Sequence, residues 1–215
     1  MRIVIAGGHG KIALLLERLL ADAGHTPVGI VRNPEHAADV EAAGAAVVVL
    51  DLESTDPETL ATQLEGADAV VFAAGGGPGS GAARKVTVDR DAAVLLADAA
   101  ERAGVRRYVM VSAMRADDFV EGSDDVFQIY LKAKAEADAN VRARRGLDWT
   151  IVRPGGLTDH DPTGLVQIGE SVQRGKIPRA DVAAVLADVL TRNRFVGKQF
   201  ELIEGSTSIA DLELT

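Results

Sequence analysis

The sequence predicts an α/β protein with a doubly wound parallel sheet, and three observations support this fold class. Short apolar runs alternate with stretches of helical periodicity from Met1 to Pro154. The runs lack strict alternation of apolar and polar residues, which is typical of strands buried on both faces. The chain has 215 residues, enough for one domain with its own core.

The first strand and the first helix have the clearest signals. Residues 2–6 form a short apolar run with β-branched side chains, which indicates a buried strand. From Lys11 onward, apolar residues recur at helical spacing until Gly24, a suitable C-cap.

The same alternation continues through the middle of the chain. Pro34 suits the first turn of a helix, and helical patterns follow the later apolar runs. Right-handed βαβ connections place such helices on both faces of a parallel sheet. The expected strands are residues 26–31, 45–50, 67–74, 107–112 and 148–153, and the expected helices are residues 34–43, 57–64, 87–103 and 126–145.

The segment after Pro154 is less regular. We expect a single domain of residues 1–215, in which residues 155–215 complete the substrate pocket, because neither an interdomain linker nor an internal repeat is visible. The elements expected in this segment are a short hairpin of residues 165–170 and 175–178, a helix at 180–191, a strand at 199–203 and a terminal turn.

Three glycines and an alanine lie between the first strand and the first helix. Gly7, Gly8 and Gly10 allow a tight turn and let a phosphate approach the backbone, while Ala13 lets the helix pack closely on the strand. The N–H groups and the positive dipole end of the helix face the turn, which favours a pyrophosphate. The motif predicts a dinucleotide site, although a purely structural turn could use the same glycines.

The composition excludes several classes of protein. The sequence has no cysteine, which excludes disulfides, thiol nucleophiles and cysteine metal sites and fits a reducing, cytoplasmic location. The net charge of −9 argues against nucleic acid or a membrane surface as a partner. We expect no transmembrane span and no signal peptide before the first strand. The four histidines lack metal-ligand spacing, so no metal is expected.

Further motifs lie near the ends of the expected strands and on the helix at 126–145. In chain order the motifs are Gly7-Gly-His-Gly-Lys-Ile-Ala13, Val31-Arg-Asn33, Asp51-Leu52, Ala73-Ala-Gly75, Val111-Ser-Ala113, Tyr130-Leu-Lys-Ala-Lys134 and Arg153-Pro-Gly-Gly-Leu-Thr-Asp159. Together they resemble the atypical branch of the short-chain dehydrogenase/reductase superfamily, which includes NmrA-like and flavin/biliverdin reductase-like proteins. The resemblance covers nearly the whole chain and implies a Rossmann domain that binds NAD(P)H. Ala13 departs from the glycine of the family's usual fingerprint.

Arg32 determines which cofactor we expect. An acidic residue at the end of the second strand would bind the ribose hydroxyls of NAD(H), whereas a guanidinium can hold the 2′-phosphate of NADP(H). We therefore expect NADP(H) to be preferred and NAD(H) to be possible. The alternative is a solvated surface arginine. Lys11 either adds positive charge at the pyrophosphate or is an exposed lysine of the first helical turn.

The resemblance implies further cofactor contacts. Asp51 and Leu52 would contact adenine, the small residues 73–75 would let the ribose lie close, and residues 154–156 would orient the nicotinamide carboxamide. Core packing would also explain the alanines, and strand termination would explain the proline. The full set of expected cofactor-binding residues is Gly7, Gly8, His9, Gly10, Lys11, Ile12, Arg32, Asp51, Leu52, Ala73, Ala74, Gly75, Pro154, Gly155 and Gly156.

Tyr130 and Lys134 are four residues apart and therefore share one face of the expected helix. This spacing lets an ammonium group lower the pKa of the phenol, so that the tyrosine can donate or accept a proton. The resemblance implies a catalytic triad of Tyr130, Lys134 and Ser112, in which Ser112 polarises the substrate carbonyl and Lys134 also holds the nicotinamide ribose. The alternative is a surface tyrosine beside a solvated lysine.

The leading hypothesis is an NADPH-dependent oxidoreductase that transfers a hydride to a small carbonyl, quinone or flavin-like acceptor. The second is an NADP(H)-binding sensor without turnover. A nucleotide-sugar epimerase or dehydratase is disfavoured, because those enzymes carry a substantial substrate domain and about sixty residues follow Pro154. We expect the acidic residues 116–125 to form a solvated loop. The substrate and the oligomeric state stay open.

Overall fold

The computed structural model describes residues 1–77 and 79–214. The strands are β1 (Arg2–Ala6), β2 (Thr26–Val31), β3 (Ala46–Val49), β4 (Ala69–Phe72), β5 (Arg107–Val111), β6 (Asp148–Pro154), β7 (Gly156–Thr158), β8 (Leu165–Gly169), β9 (Lys176–Pro178), β10 (Lys198–Glu204) and β11 (Thr207–Ser208). The α-helices are α1 (Lys11–Asp22), α2 (Ala37–Ala42), α3 (Pro57–Leu64), α4 (Ala82–Arg84), α5 (Ala92–Arg102), α6 (Val126–Arg142) and α7 (Arg179–Thr191). A π-helical segment, Lys85–Asp91, joins α4 to α5, and 3₁₀ turns lie at Pro34–His36, Ala116–Asp118 and Ile209–Asp211.

Across the described residues, one large sheet has the strand order β11-β8-β10-β6-β5-β4-β1-β2-β3. The strands from β3 to β10 in this order are parallel, whereas β8 pairs antiparallel with both β10 and β11. The order reverses between β1 and β4, which is the topological switch point of a doubly wound fold. The predicted fold class is confirmed.

Aliphatic side chains form a core on each face of the sheet. On one face, Leu16 of α1 and Leu186 of α7 pack in the same cluster, and both are fully buried. On the other face, Leu60 of α3 and Leu96 of α5 pack beside Val141 of α6. Full burial of such a side chain contributes about 1.5–3 kcal/mol. Every helix in the described residues is too short or too polar to cross a membrane.

The predicted hairpin of residues 165–170 and 175–178 is wrong. The β8 strand pairs with β10 and β11, whereas β9 pairs in parallel with β7 in a separate small sheet. Gly155 makes this second pairing possible, because a Cβ atom there would lie 2.5 Å from the carbonyl oxygen of Gly175. Local turn signals could not reveal these longer-range pairings.

The helix predicted at 87–103 begins earlier, at Ala82, and includes the π-helical segment Lys85–Asp91. This segment places Thr87 and Asp89 near the carboxyl edge of the sheet, where both contact residues of the candidate site. Such π-helical segments occur frequently at functional sites.

Candidate cofactor and substrate clefts

Two clefts lie at the carboxyl edge of the parallel strands, where doubly wound proteins bind their ligands. The first cleft has a volume of about 630 Å³ and extends from the glycine turn after β1 to the ends of β2 and β3. The second cleft has a volume of about 510 Å³ and lies at the ends of β5 and β6. The first cleft is lined by residues that follow β4, and the second by residues that follow β5. Because β4 and β5 pair with each other, the two clefts are adjacent.

The glycine turn fits a ligand that approaches the backbone. Gly7 has a φ of +84°, and a Cβ atom there would lie 2.6 Å from Cα of Ala74. A Cβ on Gly10 would lie 3.1 Å from the carbonyl oxygen of Gly7. Both glycines line the first cleft, so side chains at these positions would strain the turn or narrow the cleft.

The first helical turn of α1 presents backbone N–H donors to the glycine turn. Its N–H groups have no acceptor within the helix. Among the described residues no side chain caps α1, which begins after Gly10, and its first turn contains no acidic residue. This helix end therefore suits a pyrophosphate. The residues present fit the phosphate groups of a dinucleotide.

The adenosine side of the first cleft contains most of the expected residues. Arg32 lies at the end of β2, and Asp51 and Leu52 lie after β3. Ala73, Ala74 and Gly75 follow β4 and line the same cleft. Asp51 uses its Oδ1 to accept the N–H of Glu53 at 3.0 Å.

Gly8, Lys11 and Ile12 do not contribute to the described lining of either cleft. A Cβ on Gly8 would lie 2.6 Å from Cα of Gly29, so this glycine serves the packing of the turn on β2. Ile12 points into the core. The Lys11 ammonium lies 2.6 Å from Asp159, which agrees with an exposed first-turn lysine rather than a phosphate ligand.

A histidine pair lies beside the glycine turn. The rings of His9 and His36 stack with 3.6 Å between their centroids, and His9 Nε2 lies 2.8 Å from Asp39. Both histidines line the first cleft. His36 was not expected, because its position in the 3₁₀ turn after β2 has no sequence signature.

The second cleft contains the expected tyrosine. Tyr130 on α6 lines it together with Ser112 and Pro154, and Gly155 and Gly156 lie on the same lining. Burial raises the pKa of the Tyr130 phenol above its usual range, and the charges of Asp89 and Asp138 raise it further. The expected lowering of this pKa is therefore wrong for this arrangement.

Burial is the main cause of this raised pKa, and the way in which Lys134 is held explains why the lysine does not counteract it. Its Nζ is 6.0 Å from the centroid of the Tyr130 ring, so the two side chains do share a helix face. The ammonium is buried, however, and lies 3.3 Å from the carboxylate of Asp89. It also donates to the carbonyl oxygen of Val111 at 3.2 Å. The neighbouring carboxylate offsets the positive charge that would otherwise lower the pKa of the phenol.

Ser112 is engaged with a buried carboxylate. Its Oγ donates to Asp138 at 2.8 Å, and Arg153 donates to the same carboxylate oxygen through Nε at 2.8 Å. Burial raises the pKa of Asp138, although Arg153 and Ser112 act in the opposite direction. The hydroxyl hydrogen of Ser112 is directed at Asp138 and, in this geometry, is not available to polarise a carbonyl.

Comparison with known proteins decides the family. A family model described as NAD(P)H-binding matches residues 7–193. The chain belongs to this NAD(P)H-binding family. The NAD(P)H-binding family that the sequence resemblance implied is thereby confirmed.

Relatives of this NAD(P)H-binding protein carry different names. It is 37% identical over 212 residues to the uncharacterized sugar epimerase YhfK of Bacillus subtilis, with 98% of each chain covered. It is 36% identical to a Bacillus halodurans structure named as an NAD-dependent epimerase/dehydratase, with a TM-score of 0.88 and coverage of 98% and 97%. The oxidoreductase ylbE of Lactococcus lactis is 28% identical, with a TM-score of 0.84 and coverage of 98% and 94%.

A buried charge network beneath the second cleft was missed by sequence reasoning. Asp89, Asp138 and Arg153 join Lys134 in this network, and all are almost fully buried. The α6 sequence did contain a signal, because Lys134 and Asp138 occur at positions of its buried, otherwise apolar face. Charged residues are almost never fully buried unless they are paired, so each should have indicated a partner.

The acidic residues of segment 116–125 are exposed, as expected of a solvated loop, and several of them also form local contacts. Asp117 forms an ion pair with Arg153 at 2.6 Å, and Asp118 lies 3.5 Å from Arg115. Asp125 caps α6 by accepting the N–H of Phe127 at 2.8 Å. Part of the negative charge beside the second cleft is thereby neutralised.

Proposed function

We propose that this protein is an NADPH-dependent oxidoreductase that reduces a small carbonyl, quinone or flavin-like acceptor in the second cleft. The observation that supports this most is the position of the Tyr130 phenol, which stays protonated and lines the cleft next to Pro154. A bound NADPH supplies the hydride, and the acceptor takes up that hydride together with one proton.

The first cleft would hold the cofactor. The α1 N-terminus and the backbone at Gly7 and Gly10 suit the pyrophosphate. Arg32 has a guanidinium suited to the 2′-phosphate, and residues 51–52 lie where adenine would be bound. Pro154 and the two glycines after it would orient the carboxamide beside the second cleft.

Tyr130 would act as a proton donor. A phenol with a raised pKa is protonated at neutral pH, so it can give a proton to a developing alkoxide but is a poor base in the reverse direction. The cation nearest to the phenolate left behind would be Lys85, whose ammonium group lies 5.4 Å from the ring centroid. Solvent would then restore the proton.

Ser112 and Lys134 take more limited roles in this proposal. With its hydrogen directed at Asp138, the Ser112 oxygen accepts a hydrogen bond and can orient a hydroxyl group in the cleft. Lys134 would reach a nicotinamide ribose only if its pair with Asp89 opened.

The experiment is a fluorescence titration with NADPH and NADH, followed by cofactor oxidation with quinones, flavins and aldehydes as acceptors. We expect tighter binding of NADPH and its oxidation by at least one acceptor class. Failure of both cofactors to bind would refute the proposed cofactor. Stronger binding of NADH would refute the preference for NADPH. The reductase activity would then be tested with NADH as the cofactor.

A non-catalytic NADP(H) sensor is the second candidate, and one observation favours it. The Ser112 hydroxyl and the Lys134 ammonium are both committed to buried carboxylates rather than directed at a ligand. Tight NADPH binding without oxidation by any acceptor would support this candidate over the reductase.

A sugar epimerase is suggested by the printed names of the Bacillus subtilis and Bacillus halodurans relatives. Against it, much of the segment after Pro154 builds the core, because β10 extends the main sheet and α7 packs in the α1 cluster. Incubation with NAD⁺ and nucleotide sugars tests this candidate. Conversion of one sugar epimer into the other would favour it.

A further inference from the structure

Glu53 joins three side chains at the rim of the first cleft. Its Oε2 lies 2.8 Å from an Nη of Arg84 and 3.2 Å from an Nη of Arg32. Its Oε1 accepts the hydroxyl hydrogen of Thr87 at 2.6 Å. Glu53, Arg32 and Arg84 all line the cleft. Two arginines from distant parts of the chain therefore converge on a single oxygen atom.

Glu53 is an anion in this arrangement. The hydrogen bond from Thr87 lowers the pKa of its carboxyl group, and Arg84 and Arg32 lower it further. Its side chain is 22% exposed, so the carboxylate stays in contact with water. The two guanidinium groups that hold this ionised oxygen are the kind of donor that proteins also use to bind a phosphate group.

We propose that Arg84, together with Arg32, forms the subsite for the 2′-phosphate of NADP(H), and that Glu53 is the anion that fills this subsite when the phosphate is absent. The inference rests on the proposed NADP(H) binding. The 2′-phosphate is a phosphate monoester, which carries a charge of about −1.5 to −2 at pH 7. It therefore balances two guanidinium groups more fully than one carboxylate does.

The geometry permits this exchange of anions. Glu53 uses a single N–H of each arginine, and a guanidinium has five N–H donors. The side chains of Arg32 and Arg84 are 53% and 40% exposed, so both can turn toward a ligand. Glu53 can release them by rotating into water, where its charge is solvated.

Arg84 differs from Arg32 in its place in the chain. It ends α4, directly before the π-helical segment that includes Thr87. The next residue, Lys85, donates to the carbonyl oxygen of Gly77 at 2.8 Å. A phosphate held by Arg84 would therefore also be linked to the loop that lines the cleft after β4.

Glu53 has a competing role that predicts the opposite outcome. A carboxylate near the end of β2 could accept the ribose hydroxyls of NAD(H) and repel the 2′-phosphate. In that case, removing the charge of Glu53 would weaken NADH. In the proposed subsite, the same change leaves NADH unaffected and strengthens NADPH.

The test measures binding rather than turnover, using adenosine 2′,5′-bisphosphate, AMP, NADPH and NADH as probes in calorimetric titrations of the full chain. For Glu53→Gln we expect the bisphosphate and NADPH to bind about tenfold more tightly, because a competing anion is removed. For Arg84→Gln we expect both to bind about tenfold to a hundredfold more weakly, the usual range for hydrogen bonds to charged groups. AMP and NADH should change less than about twofold.

Two variants outside the clefts serve as matched controls. Glu58→Gln and Arg102→Gln remove the same charges from an exposed pair whose atoms are 3.9 Å apart. These variants should leave all four probes unchanged, which excludes an effect of net charge alone. Thermal unfolding of each variant checks the fold. If Arg84→Gln does not fold, Thr87→Val provides an independent test, because it loosens Glu53 and should strengthen NADPH about threefold.

Weaker NADH binding in Glu53→Gln, or equal losses of all four probes in Arg84→Gln, would overturn the inference. Unchanged NADPH affinity in both variants would do the same. If the wild type binds neither NADPH nor NADH, the proposed function itself fails. If the wild type binds NADPH and the Glu53→Gln and Arg84→Gln variants bind it with the same affinity, only the roles of Arg84 and Glu53 are refuted.

Discussion

The rim of the first cleft and the floor of the second cleft use charges in opposite ways. At the rim, Arg32 and Arg84 share the carboxylate of Glu53 in contact with water. On the floor, Lys134 pairs with Asp89 at 3.3 Å with both side chains almost fully buried. The ion pairs are solvent-exposed in one place and buried in the other.

Solvent explains this difference. An exposed ion pair contributes about 0–1 kcal/mol, so it can change partners when a ligand arrives. Breaking a buried pair leaves an uncompensated charge and costs about 3–5 kcal/mol. Substitutions at the rim should therefore change cofactor choice without affecting folding, whereas those on the floor should affect stability and chemistry together.

The largest effect is expected on the floor. Asp138→Ala should lower the free energy of unfolding by about 3–5 kcal/mol, because the buried Arg153 loses its fully buried partner. Asp117→Ala removes the other carboxylate from the same arginine, but Asp117 is 57% exposed and its loss should cost less than about 1 kcal/mol. Urea denaturation measures both. Equal losses would show that burial does not determine what the loss of a carboxylate partner costs.

The next effect concerns catalysis in the second cleft. Tyr130→Phe should lower kcat about a hundredfold or more while leaving the Kd for NADPH within about twofold, because only the proton donor is removed. Since the pKa of this phenol is raised, wild-type kcat should not fall as the pH approaches 10. Stopped-flow assays and a pH profile measure this.

Tyr108 provides the matched control for this substitution. It is fully buried, and its hydroxyl donates to the carbonyl oxygen of Ala93 at 2.9 Å, away from both clefts. Tyr108→Phe should therefore lower stability by about 1 kcal/mol with unchanged kcat. Full activity of Tyr130→Phe would instead assign Tyr130 a structural role.

At the rim, Arg32→Glu should weaken NADPH about tenfold to a hundredfold and NADH less than about threefold, because it places a carboxylate against the 2′-phosphate. Stability should be nearly unchanged, since the pair with Glu53 is exposed. Arg18→Glu makes the same charge change on the exposed face of α1 and should affect neither cofactor. Equal losses of NADPH and NADH in Arg32→Glu would contradict a role in cofactor choice.

The sequence predicts some parts of the two clefts better than others. Local patterns predicted β1, the glycine turn and α1, because strand, turn and helix are adjacent in the chain and each has its own periodicity. Arg32 was expected near the cofactor because it lies at the end of β2, where the residue that contacts the adenosine ribose is found. Arg84 was not, since its approach to Glu53 depends on the π-helical segment that follows it.

The floor was harder to predict for a different physical reason. The Tyr130 and Lys134 spacing correctly placed both residues on one helix face, but the effect of Lys134 on the phenol depends on Asp89, which lies 45 residues earlier in the chain. Long-range ion pairs have no periodicity, so their consequences for pKa values could not be derived from local sequence. The pairing of β8 and β9 failed for the same reason.

The protonation state of Glu17 decides whether a buried charge lies near the first cleft. It is fully buried on α1, and neither of its carboxylate oxygens has a hydrogen-bond partner among the described residues. Its Oε1 would lie 2.9 Å from a Cβ on Gly8, which places it directly under the glycine turn. Burial raises the pKa of Glu17 from 4.5 to about 8. The folded protein therefore keeps a proton there that the unfolded chain releases.

This proton makes stability fall as the pH rises between about 4.5 and 8, because the unfolded state binds fewer protons in that range. Glu17→Gln keeps the shape of the side chain but has no proton to lose, so its stability relative to the wild type should rise between pH 5 and pH 8, by up to about 4 kcal/mol. The difference should shrink toward pH 5. Glu41→Gln, an exposed change on α2, should show no such trend in urea denaturation at the two pH values. A pH-independent difference for Glu17→Gln would mean that the Glu17 carboxyl is ionised in the fold, and a buried charge would then lie beneath the glycine turn of the first cleft as well.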